Sequence, residues 1–205
     1  MRARVVPIVV IDDPEDALPL ADALRAGGMD TVEVTLRTPA GIDAVRRICS
    51  QRPLMFVLAG TVLSTAEAQA CLDAGAGGLI SPGFDPKMSS WCRDHAIDLV
   101  PGVATASEIL AAANAGHRLL KFFPAKAAGG MPALTALYAP FAKLDLSFMP
   151  TGGLGLDDLP SVLAHDFVAA MGGTWIAPAS EIAAGNWAGI TARAAQAVSL
   201  ATSSS

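Results

Sequence analysis

The stretch "VVPIVVIDDPEDALPLADALRAGGMDTVEVTLR", residues 5–37, holds one complete strand-helix-strand unit. Its two ends, 5–11 and 31–37, are short runs rich in β-branched residues. Between them, the segment 14–28 has the apolar spacing of a helix, begins with Pro and two acidic residues, and closes at paired glycines. Two consecutive strands joined through a helix usually lie parallel in one sheet. The stretch therefore predicts a parallel α/β fold.

The same unit recurs along the whole chain. Eight segments are predicted strands: 5–11, 31–37, 55–60, 78–83, 98–102, 119–124, 146–153 and 167–173. Eight strands alternating with helices in 205 residues predict a compact (β/α)8 TIM barrel, a single domain over 1–205 with a frayed tail at 202–205. The alternative is an open doubly wound sheet, which usually has fewer strands and a GxGxxG turn after the first. The first turn here, "IDDPED" (11–16), contains no glycine.

Composition narrows the class of protein. Hydrophobic residues make up 52% of the chain and charged residues 16%, so the chain has enough apolar surface to fold into a globule. The net charge of −5 repels polyanions, and Gly, Pro or charged residues interrupt the apolar runs before they could cross a bilayer. The N-terminal residues also lack a signal-peptide cleavage site. We therefore predict a cytoplasmic protein with neither a nucleic-acid nor a membrane partner.

The cysteines and histidines do not have the spacing of a metal site. Cys49, Cys71 and Cys92 are far apart in the sequence, which favours reduced, partly buried thiols. Each histidine follows a predicted helix, which favours a solvated helix end on the side opposite the strand carboxyl ends. The histidines are His95, His117 and His165. The chemistry is therefore predicted to need no metal and no cofactor.

One lysine interrupts an apolar strand. In "LLKFFP" (119–124), Lys121 and Phe123 share one face while Leu120 and Phe122 share the other. In a barrel the second face packs on the helices, so Lys121 points inward. Enclosure among aromatic residues and near a cation disfavours the ammonium form, and the pattern predicts a neutral amine that attacks a ketone as a Schiff-base nucleophile. The alternative is a lysine that only pairs with a carboxylate or extends to the rim.

The second strand brings a carboxylate and a guanidinium to the same interior. In "TVEVTLR" (31–37), Val32 and Val34 share one face, which leaves Glu33 and Arg37 on the other. A carboxylate enclosed near an amine relays protons to and from a carbinolamine, and a guanidinium matches the carboxylate of a substrate. The alternative for Glu33 is a counter-ion for Arg37 further along the same face.

Other strand ends supply further candidates. Thr61 follows the third strand and offers a hydroxyl, and its alternative role as a helix cap suits Ser64 and Thr65 better. Pro82, near the end of the fourth predicted strand, and Phe123, near the end of the sixth, are expected to form the wall of the pocket.

The last two strands end in paired glycines, within "PTGGLG" (150–155) and "MGGTW" (171–175). In TIM barrels these two loops often bind phosphate, because glycines leave backbone N–H groups open to an oxyanion. The alternative is that the glycines only permit tight turns. The expected phosphate-binding residues are Thr151, Gly152, Gly153, Gly172, Gly173 and Thr174.

Seven motifs together resemble one enzyme family. They are "EVTLRT" (33–38), "AGTVL" (59–63), "ISPG" (80–83), "PGVATASE" (101–108), "KFFPA" (121–125), "PTGG" (150–153) and "GGTW" (172–175). From about Val5 to Trp187 the chain resembles the bacterial 2-keto-3-deoxy-6-phosphogluconate (KDPG) aldolases, a family that also covers 4-hydroxy-2-oxoglutarate activity. The joint occurrence of "EVTLRT" with "KFFPA" is the most specific part of the resemblance.

The resemblance implies a metal-independent class I aldolase, typically a homotrimer, that acts on a phosphorylated keto acid. It places Lys121 on the Schiff-base lysine of the family and Glu33 on its acid–base carboxylate. Arg37 and Thr61 fall on the groups that hold the pyruvate end of the substrate. The residues that fall on the phosphate-binding loops are Thr151, Gly152, Gly153 and Thr174.

Four features depart from the family pattern. Leu58 stands where a small residue is usual, and we expect it to narrow the pocket beside Thr61. Thr174 replaces a serine, which keeps a hydroxyl. Lys126 replaces an acidic residue and inverts a charge near the mouth of the site. The chain also starts almost at the first strand, without the usual leading helix of the family.

These observations lead to the hypothesis of a class I aldolase that cleaves KDPG to pyruvate and glyceraldehyde 3-phosphate. The same mechanism acting on the galactonate epimer or on 4-hydroxy-2-oxoglutarate remains open. An alternative of another class is a non-catalytic barrel that binds phosphosugars. A phosphate-binding isomerase is a further alternative, and it would not need the lysine.

Overall fold

Short strands alternate with helices over residues 3–203, the part of the chain that this computed structural model describes. The strands are β1 Val5–Val9, β2 Thr31–Thr35, β3 Phe56–Gly60, β4 Gly78–Ile80, β5 Leu99–Val100, β6 Gly102–Val103, β7 Leu119–Phe122, β8 Ser147–Pro150 and β9 Met171–Gly173. The helices are α1 Ala17–Ala26, α2 Gly41–Gln51, α3 Thr65–Asp73, α4 Pro86–Asp94, α5 Ala106–Asn114, α6 Gly130–Tyr138, α7 Leu159–Leu163, α8 Ala179–Ala183 and α9 Trp187–Ser203. Short 3-10 turns lie at Pro14–Asp16, Ala139–Leu144 and Leu156–Asp158.

The paired strands run parallel and fall into two groups. A six-stranded curled sheet has the order β5-β4-β3-β2-β1-β9, and a second sheet has the order β6-β7-β8. Two parallel bridges, Phe148 with Val168 and Thr151 with Gly172, link β8 to the last strand segment. The prediction of a parallel α/β fold is therefore confirmed.

The predicted fifth strand, 98–102, is divided in two. Leu99–Val100 forms β5 in the larger sheet, whereas Gly102–Val103 forms β6 in the smaller one. Pro101 lies between them and has no N–H to donate, although its carbonyl accepts a hydrogen bond of 2.9 Å from the Lys121 N–H. The proline therefore marks the point at which the chain passes from one sheet to the other.

Alternation along the strands separates a helix-facing core from an interior layer. On one side, Leu120, Phe122 and Phe148 are fully buried in a cluster with residues of α5 and α6. A separate cluster fills the interior: Val6, Leu58, Ile80, Val100, Met149 and Ala170. Apolar residues thus fill the helix-facing side and part of the interior. Charged and polar residues occupy the interior nearer the carboxyl ends of the strands.

A cavity of about 860 Å³ opens at the opposite end, beside the first residues of β3, β4, β5 and β7. Its wall includes Phe56, Leu58, Leu99 and His117. From the sequence, Leu58 is expected to narrow the pocket beside Thr61, but its side chain lines this cavity instead. The reason is its place in the middle of β3, two residues before the strand end.

His117 also differs from its predicted position. Its Nε2 lies 2.8 Å from Ser89 Oγ of α4, and the ring is partly buried. Burial lowers the pKa of His117, and the cations Arg93 and Arg118 act in the same direction. The prediction of a solvated helix end is therefore wrong for this histidine, because α4 packs against it.

The cysteines are free thiols and are largely enclosed, as predicted. Cys71 and Cys92 are buried and Cys49 is partly buried. Burial raises the pKa of Cys71 to about 11. Within residues 3–203, no group of His, Cys, Asp and Glu side chains could hold a metal ion. None of the helices in the described part of the chain is both long and apolar enough to span a membrane.

The last helix, α9, continues to Ser203. The predicted frayed tail covers 202–205, but the hydroxyls of Thr202 and Ser203 each donate to a carbonyl four residues earlier, at 2.8 and 3.0 Å. These bonds accompany a helix that is continuous to Ser203. Residues 204 and 205 lie outside the described part of the chain.

The enclosed imidazole gives a prediction about pH. Because folding lowers the pKa of His117 from its usual 6.5, the unfolded chain binds more protons than the folded one as the pH falls through 6.5. The free energy of unfolding should therefore fall on acidification. In His117→Gln the decrease between neutral and mildly acidic pH, measured by urea unfolding, should be smaller than in the wild type. Equal decreases in the two proteins would contradict this account of His117.

Candidate active site

A buried ion pair lies in the interior between β2 and β7. Lys121 Nζ donates a hydrogen bond of 2.8 Å to Glu33 Oε1. Glu33 is 0% exposed and Lys121 is 5% exposed. The two residues are 88 positions apart in the sequence and belong to different sheets. The fold therefore brings together the lysine and the carboxylate that the sequence analysis selects, and Glu33 pairs with Lys121 instead of Arg37.

The alternation of each strand aims these side chains at one another. The valines on either side of Glu33 pack in the helix-facing core, so the carboxylate points inward. Leu120 and Phe122 pack on helices in the same way, which turns Lys121 inward from β7. The inward orientation that the sequence predicts for Lys121 is confirmed.

Gly60 gives the carboxylate its space. This glycine ends β3 and pairs with Thr35 of β2, and a β-carbon at Gly60 would overlap the Glu33 carboxylate. Gly60 is not among the site residues predicted from the sequence. One feature of the sequence could have indicated it: Gly60 is the last residue of a predicted strand, and a glycine in a strand often marks the close approach of another group. The missing side chain lets a charged carboxylate fit inside the sheet.

The Glu33 carboxylate has one occupied and one open oxygen. Oε1 accepts the hydrogen bond from Lys121, while Oε2 is buried and has no hydrogen-bond partner among residues 3–203. A buried polar atom without a partner costs free energy, so such atoms are rare where stability is the only requirement. A hydrogen-bond donor such as a ligand hydroxyl would satisfy it. The geometry therefore suits proton transfer at this atom.

The two predicted wall residues lie after strand ends. The ring centroid of Phe123 lies 5.5 Å from Lys121 Nζ. Pro82 is partly buried after β4, and its carbonyl lies so close to Gly102 that a β-carbon there would overlap it. Phe123 is therefore beside the amine, and Pro82 is packed against β6.

Arg37 lies outside the strand in which the sequence analysis places it. β2 ends at Thr35, so Arg37 is in the following turn and is exposed. The hydroxyls of Thr35 and Thr38 donate to the carbonyls of Val9 and Ile11, at 3.0 and 2.5 Å. These bonds hold the turn against the end of β1 and the chain that follows it. The predicted position of Arg37 on the inner face of the strand is wrong, because the chain turns two residues earlier.

Thr61 has a backbone conformation that β-branched residues rarely adopt. Its φ is 60°, in the left-handed region, where a branched side chain is sterically costly. Helix α3 is capped by Ser64, whose hydroxyl accepts the Glu67 N–H, so capping does not explain Thr61. Strained residues of this kind cluster at ligand sites, which favours the binding role predicted for Thr61.

The loops after β8 and β9 lie side by side, since Thr151 pairs with Gly172 in a parallel bridge. Gly152 and Gly153 have φ values of 102° and 77°, a region that glycine adopts far more readily than other residues. The first glycine doublet is therefore required by the backbone.

Glycine is required at both positions of the second doublet, Gly172 and Gly173, because a side chain would not fit there. A β-carbon at Gly172 would lie 2.5 Å from Thr151 Oγ1, and one at Gly173 would overlap the indole nitrogen of Trp175. That nitrogen is buried and has no hydrogen-bond partner in the described part of the chain. Thr174 is exposed at the end of the loop. The two doublets together place small, closely packed backbone at neighbouring strand ends.

A family match spans all the residues of this site. The model described as "KDPG and KHG aldolase" matches residues 1–193. The chain belongs to this family. The 2-dehydro-3-deoxy-phosphogluconate aldolase of Pseudomonas aeruginosa is 43% identical over 187 residues, which cover 91% of this chain and 84% of that protein.

Solved structures of KDPG aldolases have the same fold. The enzyme of Legionella pneumophila, with pyruvate captured at low pH as a covalent carbinolamine intermediate, has a TM-score of 0.90 and 40% identity, over 94% of this chain and 93% of that one. The enzyme of Zymomonas mobilis with 3-phosphoglycerate has a TM-score of 0.91 and 36% identity, over 97% of this chain and 92% of that one. The ion pair of Lys121 and Glu33 therefore lies in the interior of a KDPG and KHG aldolase family fold.

Gly60→Ala tests the spacing of the ion pair. The added β-carbon would overlap the Glu33 carboxylate and displace it from Lys121. Misplacing a reacting group by about 1 Å costs roughly 100-fold, so kcat/KM for the aldol cleavage typical of this family should fall about 100-fold. Thermal unfolding should show a folded protein that is less stable by about 1–3 kcal/mol.

Gly83→Ala is the matched control for Gly60→Ala. A β-carbon at Gly83 meets nothing within 4 Å, so activity and stability should stay close to wild type. If the two variants had equal activity, Gly60 would not be needed to make space for the carboxylate.

Proposed function

We propose that this protein is a class I aldolase that cleaves KDPG to pyruvate and glyceraldehyde 3-phosphate. The central observation is the enclosed contact of 2.8 Å between Lys121 Nζ and Glu33 Oε1. The other three lysines of the chain, Lys87, Lys126 and Lys143, are exposed. The L. pneumophila relative, with its pyruvate carbinolamine, supports amine chemistry in this fold.

Lys121 is the proposed nucleophile. Its ammonium first passes a proton to Glu33, and the neutral amine then adds to the C2 ketone of the substrate. A C–N bond forms as the C=O π bond opens, and a proton moves from the nitrogen to the former ketone oxygen. The resulting carbinolamine loses its hydroxyl as water, with a second proton supplied at that oxygen, and becomes a protonated imine. The protonated C=N bond at C2 is then an electron sink adjacent to C3.

Carbon–carbon cleavage follows from that sink. A base removes the proton of the C4 hydroxyl, the C3–C4 bond breaks, and its electron pair moves toward the nitrogen as glyceraldehyde 3-phosphate leaves. The remaining enamine takes a proton at C3, and one water molecule hydrolyses the imine to release pyruvate and free Lys121. Glu33 Oε2, which is unpartnered among residues 3–203, is the proposed atom that accepts and returns these protons.

The ends of the substrate are assigned to strand-end residues. Arg37 supplies an exposed guanidinium for the carboxylate, and Thr61 supplies a hydroxyl on a strained backbone. Phe123 and Pro82 line the path between the two ends. The 3-phosphoglycerate in the Z. mobilis relative supports a phosphorylated carboxylic acid as ligand. The proposed phosphate-binding residues are Thr151, Gly152, Gly153, Gly172, Gly173 and Thr174.

The two sheets are inferred to be parts of one closed (β/α)8 barrel in a single domain. β5 and β6 then count as one strand interrupted at Pro101, which gives eight. The bridges of Phe148 with Val168 and of Thr151 with Gly172 support closure between β8 and β9. The direct contact of β2 with β7 side chains supports a common interior.

The assembly is inferred from the family resemblance, and the location from the composition. We infer a cytoplasmic homotrimer, the assembly typical of this family. Sedimentation equilibrium should give three times the mass of one chain, and a single-chain mass would contradict the trimer.

The proposed reaction is tested by pyruvate release from KDPG. A coupled lactate dehydrogenase assay should show turnover at equal rates with and without EDTA, because the amine supplies the electron sink. Absence of pyruvate under both conditions would exclude the proposed function.

The proposed roles of Lys121 and Glu33 have a separate test. Borohydride added with pyruvate should leave a three-carbon adduct on Lys121, located by peptide mass spectrometry. Lys121→Arg keeps a cation beside Glu33, which avoids an unpaired buried carboxylate, and should abolish both adduct and turnover. Glu33→Gln should lower kcat by about 100- to 10,000-fold. The control Lys143→Arg should react as wild type does, and an adduct on any other lysine would contradict the assignment.

A further inference from the structure

Lys126 is tied by its backbone to the first glycine loop. Its N–H donates a hydrogen bond of 2.9 Å to the Gly152 carbonyl, and the Ala125 N–H donates one of 2.7 Å to the Thr151 carbonyl. These bonds extend the pairing of β7 with β8 past the ends of both strands. The position of Lys126 relative to this loop is therefore fixed by the main chain.

The aliphatic stem of Lys126 lies on Gly153. The Cβ and Cδ atoms of Lys126 lie 2.7 and 3.2 Å from the point that a β-carbon of Gly153 would occupy. Gly153 has a φ of 77°, so glycine is favoured there by the backbone as well. A lysine whose stem lies along the protein keeps its ammonium in water at the end of that stem. Lys126 is exposed, in agreement with this arrangement.

The charge of Lys126 is not neutralised within the described part of the chain. No carboxylate of residues 3–203 lies within 4.0 Å of its ammonium. Asp158, in the segment that follows the loop, accepts a hydrogen bond from the Gly155 N–H at 2.8 Å. An unpaired cation beside a glycine loop is suited to an anionic ligand.

A single aromatic ring separates this loop from the reacting amine. The Phe123 ring centroid is 5.5 Å from Lys121 Nζ, and ring carbons of Phe123 lie 3.2 Å from the β-carbon position of Gly152. A substrate with its ketone at Lys121 therefore passes the ring before its far end reaches Gly152 and Gly153. In KDPG the phosphate is at the far end from the C2 ketone.

We propose that the ammonium of Lys126 binds the phosphate of the substrate and makes the enzyme selective for phosphorylated over non-phosphorylated 2-keto acids. This inference rests on the proposed function. Lys126 would add a side-chain cation to the glycine loops. The family pattern does not supply one, since an acidic residue is expected at position 126. Lys126 is a binding residue in this account and takes no part in bond cleavage.

Turnover of two matched substrates tests the inference. The substrates are KDPG and 2-keto-3-deoxygluconate, which lacks only the phosphate. Lys126→Met keeps an unbranched stem without the charge and should lower kcat/KM for KDPG roughly tenfold, mainly through KM, with 2-keto-3-deoxygluconate changed less than about twofold. Lys126→Arg should restore most of the KDPG activity. Lys143→Met, at an exposed lysine before β8, is the matched control and should match wild type.

A binding measurement keeps the inference testable without turnover. Calorimetry with 3-phosphoglycerate should give a Kd roughly tenfold higher for Lys126→Met than for wild type, with a smaller difference at high salt. Equal Kd values in the two proteins would overturn the role of Lys126. Equal losses of kcat/KM on both substrates would also overturn it.

The failure of this inference is distinct from failure of the proposed function. If wild-type protein releases pyruvate from KDPG but Lys126→Met discriminates between the two substrates as wild type does, only the role of Lys126 fails. If wild type releases no pyruvate, the proposed function fails, and the 3-phosphoglycerate measurement decides about Lys126 alone.

Discussion

The site is organised around one buried interaction, the ion pair between Lys121 and Glu33. Removing two charges from water is costly, and their attraction offsets that cost only when the geometry is good and the remaining polar atoms are satisfied. Here the bond is 2.8 Å long, yet Glu33 Oε2 has no partner among residues 3–203. A buried carboxylate with a protein hydrogen-bond partner on only one of its two oxygens is better explained by chemistry than by stability. Gly60 is part of the same constraint, since a larger residue there would overlap the carboxylate.

The rest of the site is arranged around this pair. Phe123 lies beside the amine and against Gly152, so it sets the separation between the reacting nitrogen and the glycine loop. Thr61 carries backbone strain at the end of β3, directly after the glycine that makes space for the carboxylate. The aliphatic stem of Lys126 packs on the next residue of that loop, Gly153. The proposed ketone chemistry and the proposed anion binding therefore belong to adjacent elements, β7 and the loop after β8.

Much of this arrangement could be predicted from local pattern. Alternation in "LLKFFP" gives the inward direction of Lys121, because helix-facing positions must be apolar, and the same reasoning holds for Glu33. The predictions that were wrong concern positions that depend on contacts with residues distant in the sequence. Arg37 lies in a turn that the hydroxyls of Thr35 and Thr38 hold against the end of β1 and the chain that follows it. His117 contacts Ser89 of α4. Neither partner is visible from the residues that flank these positions in the sequence.

The exchange of pyruvate methyl protons in heavy water, followed by NMR, tests the central claim most directly. Exchange needs both an imine on Lys121 and a group that moves protons at C3, so it examines the ion pair as a unit without the aldol substrate. The account predicts rapid exchange with wild-type protein and no enzymatic exchange with Lys121→Arg. With Glu33→Gln the exchange rate should fall by a factor of about 100 or more. Exchange at the wild-type rate in either variant would contradict it.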